Sequence, residues 1–269
     1  MSTLLQISDL HFGTEQPEVM AALLTLAQQQ RPNLVVLSGD ITQRARAKQF
    51  AAARAFVDRF NLPFLAIPGN HDIPLFNVWA RLMYPYAGHI AAFGNDLEPV
   101  YSSDDLLVIC VNTTRRYRHK NGEVSKAQIQ RVAGLLKRAS AAQLRIVVVH
   151  QPVVVTRDED IVNLLRGREA ALACWSAAGA DIVMGGHIHL PYVLKLSDLK
   201  RPMWAVQAGT AVSLRIRQGI PNSVNLLRWG ADANADCCVM ERWDYEITKQ
   251  AFVRGTITKL NVDRIHAPR

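Results

Sequence analysis

Several absences narrow the class of this chain. No apolar run approaches the roughly 18 residues of a membrane-spanning helix, so no membrane span is expected. The opening Met1-Ser2-Thr3-Leu4-Leu5-Gln6-Ile7-Ser8-Asp9 carries neither the basic flank nor the long apolar segment of a secretory signal. Cysteine is scarce. Cys110 and Cys174 lie in apolar surroundings, Cys237 and Cys238 are adjacent, and no CxxC pair occurs. A disulfide scaffold is therefore not expected, and the cysteines read as reduced thiols of a cytoplasmic protein. There is no Gly/Ser-rich linker, internal repeat, zinc finger, aromatic stacking array or low-complexity basic tail. A dedicated nucleic-acid binder is not expected either.

What is present suits a folded chain with a substantial core: 269 residues, 49% apolar and 20% charged, with mixed signs. The net charge is +8, and much of the excess is local. Between Thr113 and Arg138 there are eight Lys or Arg residues and one Glu. Such a stretch either steers an anionic substrate or forms a solvated loop and helix face. Its residues Arg115, Arg116, Arg118 and His119 are candidate substrate contacts.

Hydrophobic patterning gives strands at Leu4–Ser8, Leu34–Leu37 and Phe64–Ile67, alternating with helices at Pro17–Gln30 and Gln43–Phe60. This is the βαβ pattern of a parallel sheet with covering helices. Ile73–Met83 reads as helix or ordered loop, and Pro85–Asp105 as less regular. Further strands follow at Leu106–Val111, Arg145–Val149 and Asp181–Met184. Helices follow at Ser125–Ala139, opened by Ser125 and Gln128 as a capping box, and at Asp160–Ala178. After His189 the pattern changes to short strands at Tyr192–Leu196, Met203–Gln207, Val212–Ile216, Ser223–Trp229, Cys238–Tyr245 and Ala251–Gly255. Asp198–Pro202 and Gly219–Asn222 are turns. The expected fold is α/β, a two-layer mixed β-sandwich flanked by α-helices. It forms one domain over residues 1–269, with polar motifs in 5–189 and a β-rich part at 190–255.

Five of the eight histidines stand just beyond strand ends, alongside carboxylates. Asp9-Leu10-His11 follows the first strand, Gly39-Asp40 the second and Gly69-Asn70-His71-Asp72 the third. His150 follows Val147-Val148-Val149, and Gly185-Gly186-His187-Ile188-His189 follows Ile182-Val183-Met184. In extended chain, residues two apart face the same way, so Asp9 with His11, and His187 with His189, can converge on one ion. In a parallel sheet all carboxyl ends share one edge, which brings distant segments together. Imidazole with carboxylate suits Zn, Mn or Fe better than an all-oxygen Mg or Ca cage. The donors exceed one tetrahedral site and match two divalent or mixed-valence transition metal ions, provided one carboxylate bridges. A single strand-end histidine is more often a packed, hydrogen-bonded residue than a ligand; the repetition of the pattern carries the metal reading. His89 and His266 fit no motif and read as ordinary polar residues.

In order and spacing, these motifs resemble those of the calcineurin-like metallophosphoesterase family. The opening Gln6-Ile7-Ser8-Asp9-Leu10-His11-Phe12-Gly13, the Asn112-Thr113 and Gly122 segment, and Gly209-Thr210 are most similar to the bacterial branch containing class III cyclic-nucleotide phosphodiesterases. The resemblance implies one metal at Asp9, His11, Asp40 and His189. A second would lie at Asp40, Asn70, His150 and His187, with Asp40 bridging. It implies hydrolysis of a small phosphodiester, including 3′,5′-cyclic nucleotides, by attack of metal-bound hydroxide. His71 would face the substrate and protonate the leaving alkoxide, and Asp72 would orient a histidine or cap the next turn. Asn112, Gly209 and Thr210 are candidate pocket residues. The alternative is a phosphomonoesterase or pyrophosphate hydrolase acting on nucleotide or lipid-linked substrates. A lipid substrate calls for an apolar rim, which Leu75, Phe76, Val78 and Trp79 could supply, although they read as core. Two departures bear on substrate class: Gln43-Arg44-Ala45 where many cyclic-nucleotide enzymes carry a small residue and a nearby glycine, and Gln151 where a second histidine is common. The chain also lacks the Asp-Arg-Gly and the post-histidine Glu of Ser/Thr protein phosphatases. A homodimer is allowed, but no interface is legible.

Overall fold

The first strand, β1 (Ser2–Ile7), is buried on both faces and stands near the centre of a six-stranded sheet. It pairs in parallel with β2 (Leu34–Leu37), which pairs in parallel with β3 (Phe64–Ala66). The computed structural model describes residues 2–230 and 237–263. On its other side β1 pairs antiparallel with β10 (Ser223–Trp229), followed outward by β11 (Cys237–Glu246) and β12 (Ala251–Asn261). The second sheet has the order β4 (Val100–Ser102), β5 (Leu106–Cys110), β6 (Leu144–Val148), β7 (Ile182–Gly185), β9 (Met203–Gln207), β8 (Tyr192–Leu196). Its four central strands are parallel and its two edges antiparallel. The sheets share one apolar layer: Leu4, Leu34 and Val36 from the first pack with Val108, Ile146, Val148 and Met184 from the second. The expected sandwich is the observed one.

Helices cover the outer faces. α1 (Pro17–Gln30) opens on Pro17, where a missing N–H costs little, and ends at Arg31 in the left-handed region. With α2 (Ala47–Asp58) it buries Leu23, Leu26, Phe56 and Val57 against the first sheet. α5 (Lys126–Lys137) begins at the expected capping box: Gln128 N–H donates to Ser125 Oγ at 3.2 Å and Ser125 N–H to Gln128 Oε1 at 3.0 Å. α5 and α6 (Arg168–Ala177) bury Val132, Leu136 and Trp175 on the second sheet. Each such side chain contributes roughly 1.5–3 kcal/mol by leaving water. Cys110, Cys174 and Cys238 are free thiols. No helix among the described residues is long and apolar enough to cross a membrane.

Several expectations need correction. The helix expected over Gln43–Phe60 starts only at Ala47. Ala45 lies in the left-handed region, and the Gln49 side chain accepts from the Arg44 N–H at 2.9 Å, so the preceding turn is bonded as a loop. The helix expected over Asp160–Ala178 splits into a 3-10 segment, Asp158–Asn163, and α6, because Gly167 adopts φ 83°. Val212–Ile216 forms no strand. Its backbone is bonded to loops and side chains, with Ser213 O accepting from Gln16 Nε2 and Asn222 Nδ2, and Leu214 N–H donating to Thr14 O. The stretch Pro85–Asp105 contains α4 (Ala87–Phe93) and β4. Phe76, Val78 and Trp79 are not core. They are 78%, 63% and 65% exposed, and α3 (Val78–Met83) buries none of its residues. His89 is fully buried between the rings of Phe50 and Phe93, while His266 lies outside the described residues.

Candidate binuclear metal centre

The carboxyl ends of β1, β2, β3, β6 and β7 deliver Asp9, Asp40, Asn70, His150 and His187 to one place. Ligating atoms of Asp9, His11 and His189 lie within 4.8 Å of one another, as do those of Asp40, His150 and His187. Asp40 faces both groups. Its Oδ2 stands 3.8 Å from His11 Nε2 and its Oδ1 3.3 Å from His150 Nε2. His71 also comes within 4.8 Å of His11 and Asp40, closer to the donors than a purely substrate-facing residue requires.

The backbone is strained to achieve this. Among the described residues nine non-glycine residues have positive φ, and five of them are Asp9, His11, Asp40, His187 and His189. Each such residue costs on the order of 1 kcal/mol, so their coincidence with the polar cluster marks a functional constraint. Tight approach is the cause. Asp9 N–H donates to Gly39 O at 3.1 Å and His11 N–H to Asp40 O at 3.0 Å, zipping the two strand-end loops together. A Cβ on Gly186 would stand 2.0 Å from Ser8 Oγ and 2.5 Å from Asp9 Oδ2.

Hydrogen bonds orient the rings. His150 Nδ1 faces Ser38 O at 2.8 Å, His189 Nδ1 faces Arg215 O at 2.5 Å and His71 Nδ1 faces Gln43 O at 3.0 Å. A carbonyl at Nδ1 holds the proton there and leaves the Nε2 lone pair pointing inward, the second-layer support usual at metal sites. Asp72 ties two loops together, accepting from Gly69 N–H at 2.8 Å, Ile41 N–H at 3.0 Å and Thr42 N–H at 2.7 Å. It orients no histidine; it caps its own turn and holds the loop of Asp40.

Charge states suit cations. Burial opposes ionisation of Asp9, but His189 and His150 outweigh it and bring its carboxyl down to about 2. Asp40, buried likewise, is held well below the usual range by His150 and His71. Burial pushes His11 down to about 3, and burial with the neighbouring His150 does the same to His187, so both are neutral donors. His150 differs: burial lowers it, yet Asp40 overcomes that and lifts the ring to about 9, so this ring has to release its Nε2 proton before it can ligate a cation. Burial and Asp40 raise Asp72 to about 6 against its backbone N–H bonds. The donor set passes a direct test of fit. Asn70 Oδ1, His150 Nε2 and both nitrogens of His187 are buried without a hydrogen-bond partner, a costly arrangement unless something coordinates them.

Above the cluster lies a cavity of about 570 Å³, lined among others by Asn70, His71, His119, Lys120, Arg215 and Arg217. Most of the other candidates serve the scaffold instead. Arg115 bonds the carbonyls of Asn112 and Thr114, Arg116 that of Leu82, and Arg118 pairs with Glu123. Asn112 accepts from Thr114, and Thr210 donates to Arg215 O. Gly209 abuts Ser223. Gln151 accepts the Thr113 hydroxyl and so braces the basic segment. Arg215 and Arg217 were not signalled by any motif. The one available cue is alternation in extended chain: Leu214 and Ile216 face out, so their neighbours face in.

A double-layered α/β fold carrying shared His and Asp donors at its strand ends defines a metal-dependent hydrolase centre. The model of the calcineurin-like phosphoesterase family matches residues 2–191, and the chain belongs to that family. It is a metal-dependent phosphoester hydrolase, and the family works with divalent ions at a binuclear site. A probable cyclic nucleotide phosphodiesterase of Synechococcus sp. is 26% identical over 200 residues, covering 70% of this chain and 73% of the relative. A glycerophosphodiester phosphodiesterase of Enterobacter lignolyticus is 35% identical over 80 residues, 26% of this chain and 29% of the relative. Among solved structures, a dimetal phosphatase from Danio rerio superposes with a TM-score of 0.68 at 14% identity, covering 97% of this chain and 99% of the other. A purple acid phosphatase from yellow lupin gives a TM-score of 0.72 at 13% identity, covering 99% and 55%. These last two speak for the fold alone.

Proposed function

We propose that the enzyme hydrolyses a small phosphodiester, with 3′,5′-cyclic nucleotides the first class to test. The observation that carries the reading is the pair of donor clusters beneath the cavity, with Asp40 turning one oxygen toward His11 of the first and the other toward His150 of the second. In this reading Asp9, His11, Asp40 and His189 hold one divalent ion, and Asp40, Asn70, His150 and His187 the other. Two ions at such a site neutralise phosphate charge and make water nucleophilic at neutral pH. The residues of the chain do the rest. Asp9 and Asp40 supply the charge that retains cations, and the carbonyls of Ser38 and Arg215 keep the rings of His150 and His189 turned inward. His71, held by Gln43 O at Nδ1 and by its backbone N–H on Asp40 Oδ1 at 2.8 Å, turns its Nε2 to the cavity, and in its doubly protonated form would hand the Nε2 proton to the leaving oxygen. The whole of residues 1–269 would act as one domain. The diester preference is supported by the two curated relatives, both named as phosphodiesterases.

The test is a comparison of bis-p-nitrophenyl phosphate with p-nitrophenyl phosphate on Mn²⁺-loaded protein, followed by release of 5′-AMP from 3′,5′-cyclic AMP. Faster turnover of the monoester would move the enzyme to the alternative, a phosphomonoesterase or pyrophosphate hydrolase. One observation favours a lipid-linked version of that alternative: the exposed Phe76, Val78 and Trp79 stand beside the cavity-lining Leu75.

A further inference from the structure

Arg215 is a cation without a counterion. Its Nη1 lies 3.0 Å from Gln43 Oε1, 3.1 Å from His71 Nε2 and 3.5 Å from His11 Nδ1, and among the described residues no carboxylate pairs with it. Arg217, two residues on and lining the same cavity, shows the contrast. Asp160 accepts from it at 2.9 and 3.1 Å, and Glu159 closes a second ion pair. Both arginines come from a loop rather than a strand, and only one of them is neutralised.

The neighbours of Arg215 sharpen the point. If His11 gives its Nε2 to a metal, as the function proposed above requires, its Nδ1 keeps the proton and becomes a donor facing the guanidinium. The Nδ1 of His71 is already engaged with Gln43 O. Donors thus converge on one side of the cavity floor, opposed only by a neutral amide oxygen and one ring nitrogen. An unpaired guanidinium half removed from water is unfavourable unless an anion completes it. We propose that Arg215 binds a non-bridging oxygen of the scissile phosphate, and so is a substrate-binding residue of this enzyme. Its position between His11 and His71 places it on the reacting phosphoryl group rather than on a distal substituent. Gln43, one of the residues by which the chain departs from cyclic-nucleotide enzymes, holds the guanidinium on station.

Arg215 has a second, separable role. Its carbonyl accepts from His189 Nδ1 and from the Thr210 hydroxyl at 3.1 Å. That contact belongs to the backbone and survives side-chain replacement, so variants can test the guanidinium without removing the support of His189. The experiment uses metal-loaded full-length protein and its Arg215→Ala and Arg215→Lys variants. Metal content is measured by elemental analysis, inorganic phosphate affinity by calorimetry, and turnover with bis-p-nitrophenyl phosphate. The expected result is two ions per chain in all three proteins. Phosphate affinity should fall about 10- to 100-fold in Arg215→Ala, the loss of one charge-assisted hydrogen bond, and by less in Arg215→Lys. A phosphate affinity within about twofold of the parent overturns the proposal. So does loss of an ion from Arg215→Ala, which would make the side chain a support of the metal site. A parent that binds phosphate but does not turn over diesters removes the proposed substrate class and leaves the Arg215 result standing.

Discussion

Gly69→Ala offers a sharp test of how the candidate centre is assembled. Gly69 has φ −99° and ψ −178°, an extended conformation that alanine adopts without strain, so any effect is steric. A Cβ there would lie 2.1 Å from Asp40 N, 2.2 Å from Asp40 Oδ1 and 2.8 Å from Asp40 Cα. The obstruction is mostly backbone and cannot swing aside. Moving from 2.1 Å to ordinary contact at 3.4 Å requires the two loops to part by about 1.3 Å. Separation breaks the Asp72 bonds that span them and the 2.8 Å bond from His71 N–H to Asp40 Oδ1. Overpacking of this kind costs about 1–3 kcal/mol, which for a chain of this length lowers the melting temperature by about 2–5 °C. A displacement near 1 Å at reacting groups costs about 100-fold in rate. The control is Gly134→Ala in the middle of α5, where a Cβ meets only the flexible end of Arg138 at 3.7 Å. It should raise stability by about 0.5–1 kcal/mol through backbone entropy and leave activity alone. Calorimetric melting, metal analysis after dialysis and diester turnover read all three effects. A Gly69→Ala protein that melts like the parent, keeps two ions and works within about twofold of it would refute the assembly described.

Other expectations follow from the same geometry. Asp40→Ala should abolish turnover and lower metal content at both positions, because its two oxygens face separate donor groups; two ions per chain in this variant would remove it as the bridge. His71→Ala should retain both ions while turnover falls by about 10²- to 10⁴-fold, the range of a general acid, and loss of an ion would make it a ligand instead. His89, buried without a hydrogen-bond partner, has its ring pushed by burial from an ordinary 6.5 to about 4. Between those values the unfolded chain binds the extra proton. Stability is therefore complete above pH 6.5 and falls by about 3 kcal/mol as the pH drops through 4. Urea unfolding from pH 7 to 4 should show that slope in the parent and a shallower one in His89→Leu; equal slopes would exclude His89 as its source.

The elements were largely legible because local chemistry encodes them. Pro17 opened α1, Ser125 and Gln128 capped α5, and the short strands read between turns after His189 matched β8, β9 and β10 at their observed bounds. Boundaries failed where a side chain or a left-handed residue supplied backbone bonds that periodicity does not register. Gln49 does this ahead of α2 and Gly167 ahead of α6. Phe76, Val78 and Trp79 failed for a different reason: an apolar residue states a preference for burial, and only the surrounding chain decides whether anything is there to bury it.

The candidate centre divides along the same line. The sequence alone determined which residues could meet, because strands end in their polar residues and parallel strands end on one edge: Asp9, His11, Asp40, Asn70, His150, His187 and His189. Only the tertiary structure decided that both oxygens of Asp40 face separate partners and that Asp72 clasps two loops rather than a histidine. It also decided that Arg217 is neutralised by Asp160 while Arg215 is left bare beside His71. The identity of a side chain fixes its charge and its donors. Which charge stands opposite it depends on how loops far apart in the chain are packed, 57 residues for Arg217 and Asp160 and 144 for Arg215 and His71, and no local pattern carries that.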